Sequence, residues 1–80
     1  MGKLVQIGNV IIRIYANHHL PPHFHILTPD GDALVEIATL EILRGKLARK
    51  AQDTALEWAA KNKAAIAAEW NRTNPRFPIA

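Results

Sequence analysis

HFHILTPDGDALVEI, residues 23–37, is the stretch whose reading decides the fold. His23 to Thr28 has strand composition, Pro29-Asp30-Gly31 has the chemistry of a tight turn, and Asp32 to Ile37 resumes as a second strand. Side chains in a strand alternate between faces, so Phe24 and Ile26 share one face while His23 and His25 share the other.

The same reading extends in both directions. Upstream, Leu4, Val5 and Ile7 form a short first strand, Gly8-Asn9 is a two-residue hairpin turn, and Val10 to Ala16 is the second strand. Asn17 to Pro22 is a loop, because Pro21 and Pro22 donate no ladder hydrogen bond and bias Leu20 toward extended geometry. Glu41 to Arg44 fits a last short strand. If Phe24 and Ile26 join Ile12, Ile14, Val35 and Ile37 in a core, then His23, His25, Arg13, Tyr15 and Glu36 collect on the opposite face.

From Leu47 the period changes. Ala51, Ala55, Trp58, Ala59, Ile66 and Trp70 recur at three- and four-residue spacing in alanine-rich sequence, which favours helix. The stripe lapses around Lys61 to Lys63, leaving two consecutive helices or one long bent helix. Trp58 and Trp70 are expected as core anchors. Asn74-Pro75 ends the helical region, and the tail either folds back through Phe77 or frays. The expected fold is α+β: an antiparallel β-meander of four to five short strands, followed by one or two C-terminal helices packed on one sheet face. The expected organisation is a single domain over residues 1–80, with the meander in 1–45, the helical part in 46–73 and the tail in 74–80.

With 80 residues and no cysteine, neither a disulfide framework nor a thiolate zinc finger is available, so any metal ligand must be His, Asp, Glu or water. The stretch MGKLVQIGNV is too short and too interrupted by polar residues for a signal peptide, and no apolar run has the length of a membrane span. A bacterial cytoplasmic protein without membrane association is the expectation. The net charge of +3 is uneven: residues 41–80 hold eight basic side chains against four acidic ones.

All four histidines fall within eight positions, at His18, His19, His23 and His25. Three chemistries fit this set. A His-x-His pair on a strand with His19 from the loop has the ligand count of an open site for zinc or another divalent metal, with Glu36 as a further ligand or as orienter of an imidazole. Alternatively, two imidazoles exchange protons during phosphodiester cleavage while Arg13 steadies the phosphate and Tyr15 stands beside them, a hydrolase or nuclease chemistry. The third is recognition, with imidazole and Tyr15 stacking on or hydrogen bonding to RNA, DNA or a peptide. Against all three stands a structural role at the Pro-Pro turn.

Arg44, Lys46, Arg49 and Lys50 crowd the start of the first helix, where the dipole disfavours bases, and a phosphate would offset that mismatch. In a simple meander this run and the histidine loop lie at opposite ends of the sheet, about 17 Å apart. One compact site holding both is therefore not expected, whereas an extended nucleic-acid track touching both fits the sequence.

YANHHLPPHFHI, with LVEIATLEILRGKLARKA and LEWAAKNKAAIAAEW after it, resembles a small bacterial family, number forty-one-sixty among the domains of unknown function. His19, Pro21, Pro22, His23 and His25 match its histidine motif, and Glu36, Gly45, Leu47, Glu57 and Trp58 match later positions. His18 stands where the family commonly has an aspartate, which removes a carboxylate. Ala48 replaces the usual proline at the helix start. Some members are encoded in toxin–antitoxin-like gene pairs, so the resemblance implies a small partner protein encoded nearby and a nucleic-acid target. The expected function is thus a toxin–antitoxin-like component acting on or through nucleic acid, centred on His19, His23 and His25. The alternative is a non-enzymatic protein-interaction or metal-binding module.

Overall fold

The computed structural model describes residues 3–15 and 21–79, with the side chain of Lys3 excepted. Five strands form one antiparallel sheet in sequence order: β1 (Lys3–Ile7), β2 (Val10–Arg13), β3 (His23–Thr28), β4 (Gly31–Glu36) and β5 (Ile42–Gly45). Two helices follow, α1 (Arg49–Lys61) and α2 (Lys63–Thr73). This is the expected α+β meander with C-terminal helices.

The hairpins close as their turn residues demand. Gly8 takes a positive φ of 59° between the paired Ile7 and Val10, and Thr28 pairs with Gly31 around Pro29-Asp30. The Thr28 hydroxyl tightens the second turn by donating to the Gly31 carbonyl at 2.8 Å and accepting from the Gly31 N–H at 3.1 Å.

Some boundaries differ from the sequence reading. The second strand stops at Arg13 rather than Ala16, and the Tyr15 carbonyl accepts a hydrogen bond from the Asn74 side chain at 3.1 Å instead of joining a ladder. The last strand runs from Ile42 through Gly45 rather than from Glu41 to Arg44. Helix α1 begins at Arg49, after Leu47 has been buried in the core and Ala48 has taken the extended cap conformation. The break between helices falls on Asn62: its N–H bonds to the Ala59 carbonyl, and its side chain takes the Trp58 carbonyl at 2.8 Å. One asparagine thereby satisfies the carbonyls that a continuous helix would have used.

The helices cover one sheet face. Ile12, Phe24, Ile26 and Val35 from the strands are fully buried against Ala55, Ala59, Ile66 and Trp70. Alanine at the contact positions lets the helix backbone come close to the strands. Trp70 is the expected core anchor, whereas Trp58 is only partly buried at the edge of the cluster. The tail folds back through its main chain rather than through the Phe77 ring, which stays exposed. The Trp70 indole N–H donates to the Phe77 carbonyl at 2.7 Å, and the Asn71 side chain bonds both the N–H and the carbonyl of Ile79.

Candidate functional site

The face turned away from the helices carries the candidate side chains, and strand register decides which of them meet. Lys3 pairs with Arg13, Arg13 with His25, His25 with Leu34 and Leu34 with Arg44, one residue from each of the five strands. Neighbouring strands are about 4.8 Å apart, so this row crosses the sheet in about 19 Å. Arg13, His25 and Leu34 are partly buried and Arg44 is exposed. Buried with no hydrogen-bond partner among the described residues is Nε of Arg13. The Tyr15 ring meets the His25 ring edge-on, with centroids 4.7 Å apart.

His23 begins β3 at the end of the sheet and is built differently. Its ring lies 5.2 Å from that of His25 but also 5.6 Å from that of Trp70, and its residue surface is only 5% exposed. The strand period alone places His23 beside His25 on the open face; burial against Trp70 takes it largely out of solvent. Nδ1 of His23 lies 2.8 Å from the Pro21 carbonyl oxygen, which only a protonated nitrogen can satisfy. In the neutral ring that bond leaves the lone pair on Nε2. Pro21 and Pro22 thus serve the strand start directly: the Pro21 carbonyl fixes the His23 ring, and the Pro22 carbonyl accepts the Ile37 N–H at 3.0 Å.

Glu36 pairs with His23 across the β3–β4 ladder, yet its carboxylate accepts from the Thr39 hydroxyl at 2.8 Å. Thr39 in turn accepts the Glu41 N–H, so this acid helps to hold the turn into β5, where Leu40 has a φ of 62°. His18 and His19 lie outside the described residues. Among the described residues, no group of three His, Asp or Glu side chains is placed to hold a metal.

The basic run divides. Arg44 stands on the open face two strands from His25, about 10 Å away, and both line one shallow cavity of about 250 Å³. The separation of about 17 Å expected between the histidine loop and the helix start concerns other positions than this pair, which stands on β3 and β5. The meander's last strand lies alongside the histidine strand's neighbour and runs antiparallel to it, which brings Arg44 level with His25. Lys46, Arg49 and Lys50 stay with the start of α1 and are exposed; Arg49 lies 3.9 Å from Asp53 one turn on. The helix start has no side-chain cap and no acid in its first turn. Asp32 and Leu34, which sequence reasoning did not single out, also line the cavity with His25 and Arg44. Their signal was the alternation along β4, which puts both on the face of His25.

A family model described as "Domain of unknown function (DUF4160)" matches residues 9–71. Comparison with curated proteins and with solved structures gives no match.

Proposed function

Since the chain belongs to this family of domains of unknown function, its role must be read from the site, and we propose that it is a bacterial cytoplasmic component of a toxin–antitoxin-like pair whose open sheet face binds single-stranded nucleic acid. The observation that carries the nucleic-acid part of this reading is the register row: Arg13 and Arg44 flank His25 and Leu34 on the face opposite the helices. Single strands are held by cationic side chains along the backbone and by rings on which bases stack. Arg13 and Arg44 supply the first, and Tyr15 with His25 supplies the second.

Binding is favoured over catalysis by the histidine pair. A two-imidazole proton relay needs both rings at the scissile phosphate, and His23 is 5% exposed. His23 is instead a positioning residue, pinned by Pro21 and seated on Trp70, that holds His25 in place. A second reading, a protein-interaction face, is favoured by the partly buried apolar side chains Ile11 and Leu27 next to the row. In a paired system they are the natural contact for the small partner protein.

The test is fluorescence anisotropy of a labelled uridine oligonucleotide, with the DNA counterpart and a duplex control, over a range of salt. Tight binding to the single strand that weakens with salt, and that falls sharply in an Arg13→Ala/Arg44→Ala double variant of unchanged fold, is expected. Binding that ignores salt, or that survives both substitutions, would remove the open face from the mechanism.

A further inference from the structure

The cationic row accounts for contacts to a strand's phosphates but not for Asp32, which shares one cavity with three members of the row. That cavity is lined by His25, Asp32, Leu34 and Arg44 together with Ala33 and Gly45. Sheet geometry sets its plan. Leu34 forms the floor, with His25 across one ladder, Arg44 across the other, and Asp32 two residues along the same strand and face. Neither the Asp32 carboxylate nor the Arg44 guanidinium is in an ion pair among the described residues.

The surrounding backbone holds these groups in place. Asp32 is tied to the segment after β5 by the Lys46 N–H, which donates to its carbonyl at 3.2 Å. Gly45 sits at φ 90° where a Cβ would collide with that same carbonyl and with Cα of Ala33, so β5 lies closer to β4 than any side chain would allow.

A phosphate fits this cavity poorly, because the Asp32 carboxylate would repel it. An aliphatic floor with a carboxylate acceptor on one side and a guanidinium fork on another instead matches a neutral planar ring with donors on one edge and acceptors on the next. We propose that the cavity is a nucleobase subsite selective for guanine, an inference that rests on the open face being a single-strand surface. Where the strand presents a guanine, Arg44 exchanges its backbone contact for the base and donates its paired N–H groups to guanine O6 and N7. Asp32 accepts from guanine N1–H and the exocyclic amino group. Adenine brings an amino donor where Arg44 requires an acceptor, and a pyrimidine lacks the N7 position. Leu34 packs under the ring, His25 borders it, and Arg13 on the far side of His25 is left for the adjoining phosphate.

The experiment compares labelled uridine oligonucleotides carrying one central guanine, inosine or adenine, measured by anisotropy with the wild-type protein and with Asp32→Asn. Inosine differs from guanine only in lacking the amino group, so guanine should bind about tenfold tighter, as expected for one hydrogen bond to a charged acceptor. Asp32→Asn should shrink that preference, since a neutral amide oxygen replaces the charged acceptor, while the plain uridine oligonucleotide binds no more weakly, because the substitution removes a negative charge beside Arg44. Equal affinity for guanine and inosine, or a preference that persists undiminished in Asp32→Asn, would overturn the subsite, with salt-dependent uridine binding still standing for the open face. Failure of every oligonucleotide to bind would overturn both.

Discussion

On the helix side of the sheet, Ile12, Phe24, Ile26 and Val35 are fully buried; one residue along the same strands, on the other side, stand Arg13, His25 and Leu34, half covered. The strands and the period are common to both faces, so the difference lies in what packs over them. On the covered face, apolar area is removed from water by alanine-rich helices, and this supplies the hydrophobic stabilisation of the fold. On the open face, polar groups are retained that no packing requires, and one of them, Nε of Arg13, is buried without a partner among the described residues. Stability is concentrated on one side of the sheet and the candidate chemistry on the other, with His23 at the sheet end touching both.

Substitutions that separate the two faces test this division. Trp70→Ala should have the largest effect, with a loss of about 3–5 kcal/mol from the emptied core site, since Trp70 is fully buried and also binds the tail. Urea denaturation measures it, and a loss no larger than that of an exposed-site substitution would show that the covered face is not the core. His23→Ala should come next, at about 1–3 kcal/mol, because it leaves the Pro21 carbonyl unsatisfied and opens a gap beside Trp70. His25→Ala should cost clearly less, and equal losses for the two histidines would erase the distinction between them.

Arg13→Met carries the opposite sign. Removing a buried, unpartnered donor should leave stability unchanged or raise it by up to about 1 kcal/mol, while oligonucleotide binding weakens and its logarithmic salt slope shrinks by about 1. Marked destabilisation would mean that Arg13 is structural. Asn71→Ala removes two hydrogen bonds to Ile79 and should cost about 1 kcal/mol, with faster amide exchange confined to the tail.

The smallest effect is at the Glu69–Arg72 pair. Hydrogen bonds from Arg72 hold the Glu69 carboxyl below its ordinary range, against an upward push from burial, and the Arg72 charge lowers it further. A carboxyl lowered in the folded state adds stability above its unfolded pKa, and that contribution disappears as pH falls through the folded value. Glu69→Gln should therefore flatten the acid side of the stability profile slightly and leave the open face untouched. An unchanged profile would show that this exposed pair contributes nothing to folding.

The placement of particular residues shows how far the sequence reading reached. Alternation assigned Phe24 and Ile26 to the core and His25 to the opposite face, and the lapse at Lys61 to Lys63 marked the helix break that Asn62 makes. Alternation also assigned His23 to the open face, and there it was incomplete, because a residue at the end of a sheet can turn its ring toward whatever packs beyond the last ladder bond. Arg44 was grouped with the helix start by proximity in sequence, although it belongs with His25 by register.

Sequence by itself determined the strands, their turns, the helical region and the division of each strand into an apolar and a polar side. All of these follow from local chemistry: the period of two, the φ preferences of Gly and Pro, and the helix propensity of alanine. Only the tertiary structure decided that the histidine strand and the last strand put His25, Leu34 and Arg44 level, that Asp32 joins them around one cavity, and that His23 is sealed by Trp70 from forty-seven residues further along. The His25–Leu34 register follows from the turn at Pro29-Asp30, whereas the Leu34–Arg44 register depends on the irregular β4–β5 pairing and the His23–Trp70 contact on long-range packing, neither of which local composition encodes.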